Sequence, residues 1–261
     1  LYQKHPVRID IAGTIESIAQ ITDDLLYRCY RTFYNLHNMV LAVAGNCTAD
    51  QVLEIADELL KPCEDQKLET VFPEESLDIV RPETVESAAV GQTLFNLGIK
   101  IAPKTGYANL KAEMEATIAM QILAGTSSPL YQKMLQEGYI NSVFSTEVFN
   151  GDGFFTMIFG GESREPRMVR KEITEALLNA QKNGLDEALF AECKKSTYGA
   201  LVRELNNVSA VTNALVSAHM AGCGIFDTLH VLSDMTLEDC NRFLREEVDV
   251  QHMTLSMIEP A

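Results

Sequence analysis

The chain has 261 residues, which is enough for one large domain or two modest ones, and 46% of them are hydrophobic, so a buried core is expected rather than disorder. Its formal net charge of −16 argues against nucleic acid and against an anionic membrane surface as partners, because both need a basic protein face. The six cysteines lie far apart without a Cys-x-x-Cys pair and no apolar run approaches transmembrane length, a pattern that indicates a reduced, cytoplasmic protein.

The first 60 residues predict three helices and one strand. Thr14 and Thr22 each precede a helical pattern, and Thr48-Ala49-Asp50-Gln51 is a capping box, in which each side chain accepts from the other residue's backbone N–H. The apolar run at 38–44 predicts a buried central strand. The third helix is expected to bury a stripe made of Val52, Ile55, Ala56, Leu59 and Leu60.

A linker is predicted at residues 63–84. This stretch follows Pro62, contains Pro73 and Pro82, carries many charges and shows no sustained hydrophobic period. Prolines keep such a segment extended and semi-stiff. We therefore expect two lobes, residues 1–62 and residues 85–261, at a fairly fixed separation.

The second lobe reads as strand, helices, hairpin, helices and strand. In its first strand, at 95–101, apolar residues alternate with Asn96, Gly98 and Lys100, so one face is predicted to be buried and the other exposed. A hairpin turn at 150–153 joins strands at 140–149 and 154–160. The predicted helix starts are Asn109, Ser128, Pro166, Asp186, Val208, Phe226 and Thr236. This order predicts an α+β fold, a mostly antiparallel sheet with helices packed on it.

One helix–strand pattern occurs twice along the chain. Thr22 opens a helix with acidic residues in its first turn, and a strand is predicted to begin at Met39, 17 positions later. Thr236 and Met253 stand at the same spacing. The repeat predicts a duplicated lobe, with the second copy beginning near Glu86. On that reading the first copy is truncated and lacks roughly 130 residues at its front, whereas the second is complete.

The residues themselves offer no active site. None of the five histidines (His5, His37, His219, His230 and His252) has a second histidine three or four positions away, as a two-imidazole zinc helix needs. His5, in a loop before Pro6, is the histidine for which an exposed, catalytic position is considered. Phosphate-loop, dinucleotide and nucleophile-elbow motifs are absent. No catalytic residue, metal ligand or cofactor is therefore assigned within this chain.

An ordered set of short stretches runs through the whole chain. In the first part they are His5-Pro6, the segment 11–18 (Ile-Ala-Gly-Thr-Ile-Glu-Ser-Ile), Ile21-Thr22, Phe33-Tyr34, Asn38-Met39 and Gly45-Asn46. In the second part they are Leu123-Ala124-Gly125, the segment 127–131 (Ser-Ser-Pro-Leu-Tyr), Glu137-Gly138 and the closing strand with Pro260. Together they resemble the pitrilysin, insulinase and mitochondrial-processing-peptidase family of zinc metallopeptidases, in particular its bacterial single-chain branch.

The resemblance implies two homologous α+β lobes, of which this chain is the C-terminal portion. Residues 1–62 would be part of the catalytic-type lobe and residues 85–261 the complete non-catalytic lobe. Such proteins are inverzincins, in which a His-x-x-Glu-His helix supplies two zinc ligands and a general base, and a later Glu supplies a third ligand. Zinc is therefore expected in the full-length family member, ahead of residue 1. Glu16 matches the segment that follows the ligands and is not itself a ligand.

The resemblance also implies a role for the second lobe, which in this family closes over the first and grips a peptide or unfolded polypeptide. Typical members carry an Arg and a Tyr flanking the glycine that Gly138 matches. Here the Tyr position corresponds to Asn141, the preceding turn has no Arg, and Tyr139 is out of register. Lys133, Tyr139 and Asn141 are the candidate substrate-binding residues.

Three functions follow as expectations. The first is the C-terminal part of a zinc-dependent metalloendopeptidase-like protein, inactive without its N-terminal catalytic part. The second, which the missing match to the Arg and the Tyr favours, is a non-catalytic homologous subunit or scaffold that partners an active peptidase. The third is a plain peptide-binding module, which would need an exposed sheet edge in the second lobe.

Overall fold

The structure is a computed structural model that describes residues 1–261. In chain order the helices are α1 (Ile15–Ile18), α2 (Asp23–Phe33), α3 (Ala49–Leu59), α4 (Gly106–Ala124), α5 (Pro129–Gln136), α6 (Pro166–Asn183), α7 (Glu187–Glu204), α8 (Val208–Met220), α9 (Asp227–Asp234) and α10 (Leu237–Glu247). The strands are β1 (Glu83–Ala88), β2 (Leu94–Ile101), β3 (Ser145–Gly151), β4 (Phe154–Glu162) and β5 (Met253–Pro260). None of the helices combines the length and the apolarity that crossing a membrane requires.

The chain divides into two compact units. One, the sheet unit, contains Leu1–Arg8, Pro73–Leu201 and Phe226–Ala261. The other, the helical unit, contains Ile9–Phe72 and Val202–Ile225. The short segment Leu1–Arg8 thus lies with the sheet that is formed much later in the sequence.

The sheet unit is built on five strands in the order β1-β5-β2-β4-β3. Only the β1–β5 pair is parallel, and the other three pairs are antiparallel. The central strand β2 places Leu97 between Leu255 of β5 and Phe159 of β4. The prediction of an α+β fold with a mostly antiparallel sheet is confirmed.

One face of the sheet carries the core. Helices α4 and α6 contact the sheet, and α10 packs against these two helices. Alternate residues of the three central strands are at most 3% exposed and belong to this core: Phe95, Leu97, Ile99, Ile101, Phe155, Met157, Phe159, Met253, Leu255 and Met257. Burying a large apolar side chain of this kind contributes about 1.5–3 kcal/mol. This face is therefore the main source of the unit's stability.

The opposite face of the sheet, called here the outer face, is not the exposed surface that the alternation predicts. Asn96 is exposed as expected, but Gly98 is buried and Lys100 is only 2% exposed. The prediction was wrong because it considered strand β2 alone. The segment Leu1–Arg8 and residue Glu75, which are distant in sequence, cover this end of the strand.

The helical unit has almost no buried apolar side chain. Helices α1, α2, α3 and α8 contain no buried residue, and Ile55 and Leu59 of the predicted buried stripe are 57% and 69% exposed. Residues 38–44 form no strand, contrary to the prediction. A strand is defined by hydrogen bonds to a neighbouring strand, and none in this chain lies beside them.

The predicted repeat is present in the local structure. Thr22 and Thr236 each accept a hydrogen bond from the backbone N–H three residues on, at 3.2 Å, and each precedes a helix of 11 residues. Asn35 and Asp249 then each cap a short 3-10 turn. The copies diverge at the next residue, because Met253 enters β5 between β1 and β2 whereas Met39 meets no strand.

Other element boundaries also differ from the predictions. Helix α4 begins at Gly106 after Thr105, so Asn109 is not its cap, and the Asn109 amide donates to Asn150 Oδ1 at 2.9 Å. Strand β3 begins at Ser145, five residues after the predicted start. Strand β1 was not predicted, because its sequence Glu-Thr-Val-Glu-Ser-Ala has no apolar alternation.

A buried carboxylate lies where α4 meets α10. The Glu115 side chain is 9% exposed, and its Oε1 has no hydrogen-bond partner. Its nearest cations are Lys111 Nζ at 3.6 Å and the Arg242 guanidinium at 3.7 Å. Burial raises the pKa of Glu115 above its ordinary value, and these two cations only partly oppose that effect. The ionised form is therefore disfavoured in the folded protein.

We expect the substitution Glu115→Gln to raise the free energy of unfolding at pH 7 by about 1 kcal/mol, since it removes a buried, poorly hydrogen-bonded charge. A carboxyl whose folded pKa is raised stabilises the fold below its unfolded pKa, and that contribution is lost as pH rises through the folded pKa. The gain should therefore vanish near pH 4. Urea unfolding at both pH values measures it, with Glu113→Gln as the control. A loss of stability at pH 7 would show that the two ion pairs outweigh burial.

Candidate functional site

A left-handed glycine turns the chain at the end of α5. Gly138 has a φ of +72°, and its N–H bonds to the Leu135 carbonyl at 3.1 Å while Tyr139 N–H bonds to the Met134 carbonyl at 2.9 Å. This arrangement ends the helix in a way that favours glycine. It directs the loop from Tyr139 to Asn141, which holds two of the predicted site residues, away from the helix axis.

Two side-chain hydrogen bonds fix this loop to the end of β4. The Ser163 hydroxyl, which is fully buried, donates to the Tyr139 carbonyl at 2.5 Å, and the Asn141 amide donates to Glu162 Oε2 at 2.7 Å. Ser163 is held in turn by its own N–H, which bonds to the Thr93 carbonyl at 3.0 Å. Tyr139 and Asn141 are therefore placed by the sheet and not only by the helix.

The third predicted residue, Lys133, forms an ion pair with Glu172 of α6. Its Nζ lies 2.8 and 2.7 Å from the two carboxylate oxygens. The carboxylate of Glu137 next to Tyr139 raises the pKa of the Tyr139 hydroxyl. Lys133 and Tyr139 thus belong to one cluster with two carboxylates, whereas Asn141 bonds separately to Glu162. Substrate binding by these residues remains a prediction.

We expect Ser163→Ala to loosen this loop. The substitution leaves the Tyr139 carbonyl and the Glu165 N–H, which bonds to Ser163 Oγ at 2.9 Å, without their partner. The cost should be about 1–2 kcal/mol of stability, with faster amide exchange at Tyr139 and Glu165. Hydrogen exchange followed by NMR measures it, with the exposed Ser87→Ala as the control. Unchanged exchange at both amides would contradict the claim that Ser163 holds the loop from Tyr139 to Asn141 in place.

Beside the loop, a shallow groove of about 400 Å³ opens on the outer face of the sheet. Its lining includes Glu162, the partner of Asn141, together with Val143 and Gly161. Gly161 has a φ of +155°, and a Cβ atom there would lie 2.9 Å from the Phe144 backbone. Gly161, which lines the groove next to Asn141, therefore has no room for a side chain.

The segment Leu1–Arg8, called here the strap, lies across the same face. Its Tyr2 hydroxyl bonds to Thr156 Oγ1 at 2.7 Å and donates to the Phe155 carbonyl at 3.1 Å. The Leu1 side chain fills the space above Gly98, where an added Cβ would lie 2.6 Å from Leu1 Cδ1. The strap thus attaches to β2 and β4 through both polar and apolar contacts.

One carboxylate accepts hydrogen bonds from the backbone of the strap. Glu75 accepts from the N–H groups of three consecutive residues, Gln3, Lys4 and His5, at 2.8, 2.6 and 2.8 Å. It also pairs with Lys100 Nζ at 2.7 Å, and the two side chains are 6% and 2% exposed. Burial by itself raises the pKa of Glu75, but the Lys100 and backbone hydrogen bonds outweigh burial and lower this pKa to about 2.

His5 is a structural residue of the strap and not an exposed one. It is 3% exposed, and its Nε2 lies 2.9 Å from the Asp152 carbonyl in the β3–β4 turn. The Val7 N–H donates to Nδ1 at 3.1 Å, so Nδ1 carries the lone pair and Nε2 the proton. Both ring nitrogens are engaged and the side chain is buried, so the exposed position considered for His5 in the sequence is wrong.

Sequence reasoning missed Glu75 and the strap. Glu75 stands in a charged, proline-containing stretch that resembles a linker, and nothing in that stretch indicates a buried carboxylate. The only available signal was Lys100, a cation inside an apolar strand that needs a partner if it is buried. Across the chain, no three His, Cys, Asp or Glu side chains come together as a group that could hold a metal ion.

The comparisons with known proteins agree with the resemblance found in the sequence. The family model described as the peptidase M16 inactive domain matches residues 20–197. The uncharacterized zinc protease YmfH of Bacillus subtilis (strain 168) is 32% identical over the whole of this chain, which covers 62% of that protein.

Solved structures show the same fold. An M16-like peptidase from Alicyclobacillus acidocaldarius superposes with a TM-score of 0.93 at 30% identity over 100% of this chain and 63% of that one. A peptidase M16 inactive domain from Pseudomonas fluorescens has a TM-score of 0.74 at 17% identity and the same coverage, a likeness of fold alone. The chain therefore spans less than two thirds of the length of each of these relatives. On the match that extends over most of its length, the chain belongs to the peptidase M16 inactive-domain family.

Proposed function

We propose that this chain is the C-terminal, non-catalytic portion of a zinc-dependent metalloendopeptidase. In this proposal residues 1–62 complete the catalytic-type lobe, residues 63–84 link the lobes, and residues 85–261 enclose and help to grip a peptide or unfolded polypeptide. The zinc and the general base are supplied by polypeptide outside the 261 residues. We also propose a cytoplasmic location, which the six cysteines favour, since they lie far apart in the sequence without a Cys-x-x-Cys pair.

The observation that carries the proposal is the match of residues 20–197 to a domain described as inactive, in a chain without a His-x-x-Glu-His motif. The relatives named as a zinc protease and as a peptidase are longer than this chain, so their chemistry can reside in the part that this chain does not cover. The loop from Tyr139 to Asn141, together with Lys133 of α5, supplies fixed polar groups on the sheet unit that a bound peptide could meet.

The test has two steps. The purified chain is first analysed for metal and for cleavage of an unstructured fluorogenic peptide; we expect neither stoichiometric zinc nor cleavage. It is then folded together with the polypeptide that covers the remaining part of the relatives' length and carries His-x-x-Glu-His. Zinc-dependent cleavage, abolished by a chelator, is expected. One tightly held zinc per isolated chain would contradict the proposal.

A second candidate is a non-catalytic subunit or scaffold that partners an active homologous peptidase. The ion pair of Lys133 favours this candidate. Lys133 is the one cation in the turn before Gly138, and both carboxylate oxygens of Glu172 already bind its Nζ. The same reconstitution separates the candidates. A stable complex that cleaves only when an active homologue is added supports the scaffold and not the peptidase half.

A further inference from the structure

A trough of about 690 Å³, lined by both polar and apolar side chains, lies on the outer face of the sheet beside the strap. Strands β1, β2 and β5 contribute hydrogen-bonding side chains to it, namely Thr84, Asn96 and Ser256. All the lining residues belong to the sheet unit. The trough is therefore a property of one compact unit.

Two arginines line this trough without a partner. Arg8 of the strap and Arg81, just before β1, make neither an ion pair nor a side-chain hydrogen bond. By contrast, Arg167 pairs with Glu83, and Arg242 pairs with Asp239. The trough holds one carboxylate, Glu86, so it carries an excess of positive charge on a chain with 37 acidic and 21 basic residues.

The backbone that presents each arginine is held in place. The Thr254 hydroxyl donates to the Arg81 carbonyl at 2.8 Å, and the next carbonyl, that of Pro82, accepts from the Arg170 guanidinium at 3.1 Å. Arg8 closes a short 3-10 turn, and its N–H bonds to the His5 carbonyl at 3.2 Å. The side chains are exposed while their attachment points are fixed, an arrangement suited to receiving an anion from solution.

We infer that the trough binds a carboxylate group of an extended peptide, which Arg81 and Arg8 contact as cations and Asn96, Thr84 and Ser256 contact as hydrogen-bonding groups. The planar guanidinium fork matches the two oxygens of a carboxylate. On a chain with a formal net charge of −16, the excess of positive charge in this trough favours such a group locally. The inference rests on the proposed function for its peptide and adds a preference for acidic residues in the sheet unit's ligand.

The test uses the 261-residue chain and two fluorescein-labelled peptides, unstructured and identical except that one central residue is Glu in the first and Gln in the second. Fluorescence anisotropy should show about tenfold tighter binding of the Glu peptide at low salt, with the preference weakening as salt rises. Arg81→Gln should remove the preference and leave the Gln peptide unaffected. Glu86→Gln should tighten the Glu peptide about threefold, since it removes the repelling carboxylate. Lys182→Gln, which removes a charge from α6 outside the trough, should change nothing.

Several outcomes would overturn the inference. Equal binding of the two peptides, no binding of either, or equal weakening of both by Arg81→Gln would each do so. A different result would identify a small-anion site instead. In that case inorganic phosphate would displace a bound fluorescent anion from the unsubstituted chain but not from Arg81→Gln, and the two peptides would bind alike. None of these bears on whether the reconstituted protein cleaves peptides, so this inference can fail while the proposed function stands, and the reverse.

Discussion

Glu75→Gln should be among the most destabilising single substitutions in the sheet unit, with an expected loss of about 3–5 kcal/mol in the free energy of unfolding. The side chain of Lys100 is 2% exposed, and its only carboxylate partner is Glu75. A neutral amide leaves the Lys100 charge buried and uncompensated. In the unsubstituted chain the backbone N–H groups of the strap donate to both carboxylate oxygens. In the variant one of these oxygens is replaced by an NH₂ group, which cannot accept a hydrogen bond from them.

Urea unfolding measures this loss, and Glu74→Gln is the matched control because Glu74 is the exposed neighbouring carboxylate and its side chain makes no hydrogen bond or ion pair. The double variant Glu75→Gln, Lys100→Met should recover part of the loss, since the second change removes the stranded charge. If Glu75→Gln were no more destabilising than Glu74→Gln, the carboxylate would not hold the strap.

The Glu75 carboxylate also makes the free energy of unfolding depend on pH. The folded pKa of Glu75 is about 2, below the ordinary value of 4.5, so its contribution is fully present above about pH 4.5. It is then lost as pH falls toward about 2. The acid limb of the stability curve should therefore be shallower in Glu75→Gln than in the unsubstituted chain.

The second large effect is expected at Gly161. A Cβ atom there would lie 2.9 Å from Phe144 Cα and 3.2 Å from Phe144 N, and these are backbone atoms that cannot rotate away. The φ of +155° adds strain for any L side chain. We expect Gly161→Ala to cost about 2–4 kcal/mol. It should also displace Phe144, whose ring stacks on Phe95 and tilts against Tyr131.

The chain offers a matched control for this substitution. Gly45 has nearly the same φ, +153°, but an added Cβ would meet nothing within 4 Å. Gly45→Ala therefore reports the backbone strain alone, and the difference between the two variants reports the close approach to Phe144. Thermal unfolding and amide exchange at Phe144 measure both; equal behaviour would refute the steric argument.

Features encoded by near neighbours were predictable from the sequence. The threonine caps at Thr22, Thr48 and Thr236, the proline start of α5 and the hairpin before Phe154 depend on residues within a few positions. The alternation of β2 correctly indicated which of its faces carries the core. These local signals, with the ordered stretches of family resemblance, were sufficient for the fold class.

Features created by distant segments were not predictable. Lys100 is buried because Leu1 and Glu75 reach it from 99 and 25 residues away, and β1 exists because β5 pairs with it. The apolar run at 38–44 has strand-like composition but no neighbouring strand, so composition alone gave the wrong result there. Of the candidate site, the sequence located the loop at Tyr139 and Asn141 but not its attachment to Ser163 and Glu162.

The exposed apolar side chains of the helical unit make its stability depend on what covers them. Leu26, Phe33, Ile55 and Leu59 are each more than half exposed, so a polypeptide that covered them would remove a large apolar area from water. A binder of the folded form stabilises it in proportion to the logarithm of its free concentration. The melting temperature of this unit should therefore depend on how much of such a binder is present in the solution.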